Sequence, residues 1–227
     1  MHYYSPIGFH TQYHLIQQLY PPRLEGRWVK YNKWNKESCL LCLPGRCNHA
    51  LELAYAYHKI GLRSFIIGIT PIIRSWYPMP NGVGDQQEAI DGILPAVKVI
   101  EEVIKIIETK VGIPRSKIVL AGHSAGAVMA IMVGALSSSP FAGIISHCGA
   151  ILDPEMLPNC RCSNTPFLLT HSKDDFIFEW HERFMPMFTT LKENKYRVYT
   201  VIDKEAGHCI TDRQLELSKL FIEEVTK

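Results

Sequence analysis

The sequence has little of what would mark a nucleic-acid-binding, membrane-spanning or secreted protein. Lysine and arginine (24) nearly balance aspartate and glutamate (22), the net charge is +2, and no basic run stands out. Nucleic acid therefore has no electrostatic footprint to bind. The opening MHYYSPIGFHTQYHLIQQLYPPRLEG lacks a basic stretch followed by an apolar one, so no secretory signal is expected. Seven cysteines cannot all pair within one chain. Without a signal, free thiols in a reducing cytoplasm are the expectation. No internal repeat or low-complexity segment is present. Ile118 to Leu136 nearly has the length of a membrane span. Its middle holds His123 and Ser124 between Gly122 and Gly126, which reads as strand, turn and helix, so no stable membrane insertion is expected.

What is present is an ordinary globular balance: 227 residues, 47% apolar and 20% charged. That length suits one domain with a large core. Residues 1–26, with four tyrosines and three histidines, do not fit the pattern that follows and are read as an N-terminal extension; residues 27–227 are read as the domain. Strands are expected at 27–31, 38–43, 64–69, 117–122, 143–147, 166–170 and 197–202, the first two joined by the polar turn 32–37. Helices are expected from an Asn48 cap to Ile60, after a capping box at Asp85, at 125–136, at 178–194 with a bend at Pro186, and from a capping box at Thr211 to Val225. The helix after Asp85 carries apolar residues at 90, 93, 94, 97, 100, 103, 104 and 107, with Pro95 as a kink point. Alternating strands and helices predict a mostly parallel sheet covered on both faces.

Gly122-His123-Ser124-Ala125-Gly126 sits where the strand at 117–122 turns into a small-residue helix. It matches G-x-S-x-G, the nucleophile elbow. The spacing has a steric reason: strand and helix nearly touch on either side of so sharp a turn, and glycine removes the β-carbons that would collide. The serine oxygen is pushed clear of the sheet, and the Ala125 N–H at the helix start points at an oxyanion formed on an attacked carbonyl. A serine needs a base, and the base an orienting acid. Chain order on such a sheet is Ser, acid, His, each in a loop after a strand. His208 follows YRVYTVIDKEAG; Asp175 follows PFLLTHSKD, with Asp174 an equal competitor by spacing. Asp203 lies too near its strand end. His123 is expected to point away from the serine, His147 and His171 to be structural or pocket-lining, and His181 to be on the surface.

Together, Ser-Ala-Gly in GHSAG, the segment HSKDDFIF and AGHCI resemble the phospholipase/carboxylesterase branch of the α/β-hydrolases, which includes acyl-protein thioesterases and lysophospholipases. The resemblance runs from about Cys39 to the C-terminus and implies the α/β-hydrolase fold. The family's H-G-x-x-D-x-x-V aligns with His171-Ser172-Lys173-Asp174-Asp175, which makes Asp175 the acid; its G-H pair aligns with Gly207-His208. The first oxyanion donor then falls on the N–H of Arg46 and the second on that of Ala125, and Trp76-Tyr77 match the aromatic pair that shapes the acyl pocket. Pro44 stands where histidine is usual, Ser172 for glycine, Ala125 for glutamine, and Arg46-Cys47 for Leu-Gly.

Other patterns weigh less. Cys39-x-x-Cys42 with Cys47 and His49 imitates zinc spacing, but residues three apart on a strand face opposite sides. Cys160-x-Cys162 has no nearby second pair. No metal and no cofactor are expected. The loop 71–84, with Trp76, Tyr77 and Met79, reads equally as a plain connection or a lid. The expectation is a cytoplasmic serine esterase or thioesterase acting on a small-molecule, lipid or acyl-protein substrate, with a homodimer left open. Two alternatives stand beside it: a carboxylesterase of small soluble esters, and a hydrolase-fold binding protein that does not turn over.

Overall fold

The computed structural model describes residues 37–71, 75–78, 86–157 and 164–227, and the backbone at 27–30. The N-terminal extension, Asp85, Met79 and the Cys160–Cys162 pair lie outside the described residues, as does most of the loop 71–84. Among the described residues, seven strands form one sheet: β1 (Arg27–Lys30), β2 (Cys39–Leu43), β3 (Phe65–Thr70), β4 (Ile118–His123), β5 (Gly143–His147), β6 (Pro166–Ser172) and β7 (Arg197–Asp203). Their spatial order is β1-β3-β2-β4-β5-β6-β7. All neighbours run parallel except β1, which pairs antiparallel with β3. The first two strands thus do not form a hairpin. β2 has both its edges taken, by β3 and β4, and every one of its side chains is buried, so β1 pairs instead with the outer edge of β3.

Among the described residues, five α-helices cover the two faces: α1 (Ala50–Lys59), α2 (Gln86–Ile106), α3 (Ala125–Leu136), α4 (Met185–Glu193) and α5 (Asp212–Val225). Strand alternation sorts the core into two layers. Cys39, Leu41 and Leu43 join the layer under α2, α3 and α4, while Leu40 and Cys42 join the layer under α1 and α5. Cys39 and Cys42 therefore face opposite sides of the sheet. α3 is apolar all round and buried from Ala125 to Ala135, as a helix enclosed by other elements must be.

Local sequence signals are mostly obeyed, with three differences. The cap of α1 is His49, not Asn48: the Leu51 N–H donates to His49 Nδ1 at 3.2 Å. α2 runs through Pro95 without a break and then tightens into a π-turn at Ile107–Val111, ended by Gly112 at φ 82°. Leu94 is half exposed, so it does not belong to the buried stripe of that helix. At α5, Thr211 Oγ1 accepts from the Gln214 N–H, but the Gln214 side chain turns inward to Asp203 and the His171 carbonyl instead of closing a capping box. Among the described residues no helix is long and apolar enough to cross a membrane.

Candidate active site

β4 ends at His123, α3 begins at Ala125, and Ser124 between them holds φ 54° and ψ −120°. A non-glycine residue in that region is strained by an order of 1–3 kcal/mol and persists only where its surroundings hold it. The hold is steric and backbone-made. A β-carbon on Gly122 would lie 2.1 Å from the Gly126 carbonyl oxygen, and one on Gly126 would lie 2.1 Å from that of Leu43. The Ser124 N–H donates to the His147 carbonyl at 3.0 Å, and Ser124's own carbonyl accepts from Ala127 and Val128. Ala125 opens α3, so its N–H has no carbonyl of its own helix to meet.

The loop after β2 packs directly against this turn. A β-carbon on Gly45 would lie 3.2 Å from Ser124 Cβ and from His123 Nδ1. The turn is closed by the Asn48 N–H donating to the Gly45 carbonyl, with Cys47 at φ 62°. Trp76 Nε1 donates to the Pro44 carbonyl at 2.8 Å. Trp76 and Tyr77 are buried, and neither lines the cavity that contains Ser124. Trp76 acts on that cavity through Pro44.

Asp175 follows β6. Its Oδ1 accepts from the N–H groups of Ile177 and Phe178, both at 2.9 Å, and the Nδ1–H of His208 reaches Oδ1 at 3.0 Å and Oδ2 at 2.8 Å. Burial works to raise the pKa of Asp175, but the His208 contact and the two amides outweigh it, and the net shift is downward. Its neighbour Asp174 points elsewhere: its carboxylate accepts from the N–H groups of Ala206 and Gly207. Asp203 is engaged by Thr211, Arg213 and Gln214. His208 Nε2 is buried and makes no hydrogen bond. It shares with Ser124 a cavity of about 490 Å³, lined also by Gly45, Arg46, His49, Glu52 and His123.

His123 differs from expectation. Its ring lies 5.2 Å from that of His208, centroid to centroid, and it lines the cavity with Ser124. Burial first, and then the His208 imidazole beside it, pull its pKa down to about 4. The alternation of β4 carried the signal: Val119 and Ala121 face the α1/α5 layer, so residue 123 does too. His147 is a buried core group, bonded to Tyr57 Oη at 2.8 Å and Thr170 Oγ1 at 2.7 Å. His171 stacks on Phe184 and donates from Nε2 to the Phe178 carbonyl, and His181 is exposed. Cys148, His171 and Asp175 bring three potential metal ligands within 4.8 Å of one another. Both oxygens of Asp175 already face His208, and burial, with Asp175 beside it, pushes the Cys148 thiol up, away from the thiolate a metal would need.

Residues 70–226 match the family model described as phospholipase/carboxylesterase. The chain belongs to that family. The matched span begins at β3's last residue, so the loop Pro44–Cys47 lies outside it. Acyl-protein thioesterase 1 of Yarrowia lipolytica is 29% identical over 114 residues, an alignment that takes in 47% of this chain and 48% of that protein. The chain thus spans about half the length of the curated relative it matches. Among solved structures, esterase PE8 superposes with a TM-score of 0.79 at 20% identity, covering 88% of this chain and 98% of the other. The Bacillus cereus carboxylesterase superposes with 0.77 at 16% identity, covering 93% and 98%. These two establish the α/β-hydrolase fold, including the strands that precede the matched span.

Proposed function

We propose that this family member is a serine hydrolase that cleaves carboxylic esters or thioesters through an acyl-enzyme. Ser124 attacks the carbonyl carbon, and His208 Nε2 takes the hydroxyl proton. Asp175 holds the imidazole in the tautomer that leaves Nε2 free to accept. The N–H groups of Arg46 and Ala125 donate to the oxyanion of the tetrahedral intermediate, each worth on the order of 3 kcal/mol in the transition state. His208 then returns the proton to the departing alcohol or thiol. Water, deprotonated in turn by His208, releases the acid and restores Ser124. No cofactor enters the cycle.

The observation that carries this reading is the pairing of an acid-bound Nδ1 with a free Nε2 in the cavity of a strained serine. Arg46 and Gly45 line that cavity beside Ser124, which supports the oxyanion role of the loop although it departs from the family pattern. The relative named as an acyl-protein thioesterase favours acyl thioesters over small esters as substrates, and the family's description as phospholipase/carboxylesterase supports lysophospholipids beside them. Five described cysteines stand unpaired, which suits a reducing cytoplasm.

A fluorophosphonate probe tests the reaction class. It should label the wild type and leave Ser124→Ala unlabelled; an unlabelled wild type, or equal labelling of Ser124→Ala, would remove the enzyme reading. A chain-length series of p-nitrophenyl esters tests the substrate: turnover of octanoate above acetate supports an acyl groove, and the reverse order supports the small-ester reading.

A further inference from the structure

β6 and β7 end side by side, Ser172 opposite Asp203, and the two loops that leave them carry the acid and the histidine. The histidine loop spans Lys204 to Thr211 before α5 begins. Its far end is fixed by Asp203, whose carboxylate accepts from Thr211 Oγ1 at 2.8 Å and Gln214 Nε2 at 2.9 Å. Its near end is fixed by the other loop. Asp174 Oδ1 accepts from the Ala206 N–H at 3.0 Å and the Gly207 N–H at 2.9 Å. The buried Ser172 hydroxyl accepts from the same Ala206 N–H at 2.9 Å and donates to Asp174. Lys204 and Glu205 are exposed, and Gly207 sits at φ 60°, a conformation glycine adopts without strain. Every hydrogen bond the structure gives to the main-chain N–H groups of residues 206 and 207, the two that precede His208, thus comes from this pair of side chains.

We infer that Asp174 and Ser172 form a positioning pair for the histidine loop, holding the Ala206–Gly207 turn so that His208 bonds Asp175 through Nδ1 and lines the cavity it shares with Ser124. The inference rests on the function proposed above and adds a division of labour between adjacent carboxylates. Asp175 orients the imidazole, while Asp174 orients the backbone that carries it. Ser172 stands where the resembling family has glycine, and a glycine there could make neither of the hydroxyl's two bonds. The Ser172 hydroxyl, followed by the Gly207 and Ala206 amides, also holds the Asp174 carboxyl below its ordinary range, as a group that accepts several hydrogen bonds should be.

The test combines amide hydrogen exchange of the full chain with steady-state kinetics on a p-nitrophenyl ester. In Asp174→Ala the amides of Ala206 and Gly207 should exchange about tenfold to thirtyfold faster, the factor that loss of one or two hydrogen bonds carries. kcat should fall by a similar factor, with KM within about twofold, since the substrate-lining residues are untouched. Asp174→Asn keeps an oxygen that accepts both N–H groups and should restore slow exchange and most of kcat. Ser172→Gly, which leaves the carboxylate in place, should show a smaller change in the same two readouts and decides the matter should Asp174→Ala not fold. Unchanged exchange at 206 and 207 would overturn the inference, as would an Asn variant as impaired as the Ala variant. The exchange readout needs no turnover. A wild type that hydrolyses nothing would therefore end the proposed function, while the exchange data still decide whether the pair holds the loop.

Discussion

The two sides of the site are built by different means. On the serine side, position comes from excluded volume: Gly122 and Gly126 bring strand, helix and the Leu43–Pro44 backbone into contact, and Ser124 takes the one conformation left. On the histidine side, position comes from side-chain hydrogen bonds: Ser172, Asp174 and Asp175 reach across to a loop about thirty residues on in sequence, and Asp203 bonds Thr211 at that loop's own far end. A steric joint has one geometry and fails all at once. A hydrogen-bonded loop loses its geometry bond by bond, at about 1 kcal/mol for each. In the function proposed above, the first suits a nucleophile that must stay exposed against strain, and the second suits a base that has to shift slightly as it passes a proton between two oxygens.

The largest effect expected from this contrast is at the steric joint. Gly126→Ala would drive a methyl to 2.1 Å from the Leu43 carbonyl and 2.5 Å from that of Pro44, both backbone atoms that cannot swing aside. Loss of more than about 4 kcal/mol of stability is expected, a size reserved for such clashes. Urea unfolding measures it. A variant with wild-type midpoint would mean that the serine turn is not sterically made.

A smaller effect on folding, with a large one on rate, is expected at the hydrogen-bonded side. Asp175→Asn keeps the shape but offers the His208 ring an amide N–H, which favours the tautomer with its proton on Nε2. In sites of this kind that change costs about 10⁴-fold in kcat. The melting temperature should move by only a few degrees. A loss below tenfold would show that His208 is oriented by something other than Asp175, and would transfer weight to the Asp174 loop.

The same contrast explains how much could be read from the sequence. The elbow was legible because its requirements are local: two glycines and a serine within five residues, an apolar strand before and a small-residue helix after. Parallel strands and buried helices followed from apolar runs such as CLLCL and AIMVGAL. The pairing of β1 with β3 was not legible, because it depends on which sheet edges the later strands leave open. Nor were the separate tasks of Asp174 and Asp175. Spacing alone leaves the adjacent carboxylates alike; the family resemblance points to Asp175 as the acid, but the task of Asp174 emerges only from the position of residues 206–208, brought alongside by the β6–β7 pairing. His123 could have been assigned to the cavity by carrying the β4 alternation one residue further. His49 displaced Asn48 as the cap because its Nδ1 reaches the Leu51 N–H, a competition that residue type alone does not settle.

The smallest expected effect concerns acid. Burial lowers the pKa of three imidazoles: His123 to about 4, His147 to about 3, and His171 below its ordinary value. Two of them belong to the serine turn and its neighbour β5; the third precedes the acid loop. Each stays neutral in the fold at a pH where the unfolded chain already takes up a proton. Below about pH 6.5 the unfolded state therefore binds more protons, and stability must fall as the pH falls, by up to about 1.4 kcal/mol per pH unit for each histidine. The His123 share ends near pH 4, where the folded protein binds the proton as well. Asp174 and Asp175 behave in a different window. Their pKa values are lowered in the fold, so what they contribute is complete above the ordinary carboxylate range and is lost only as the pH drops through it toward their folded values. Acid between pH 6.5 and 4.5 should thus weaken the imidazole-bearing elements while leaving the carboxylate contacts of the histidine loop intact. Urea midpoints at pH 7, 5.5 and 4.5 measure this. His123→Phe should lessen the decline by roughly 1 kcal/mol per pH unit, whereas Asp174→Asn should leave its slope unchanged over that range. If His123→Phe declined as steeply as the wild type, the imidazole would be titrating normally in the fold, and the serine side of the cavity would be wetter than its packing implies.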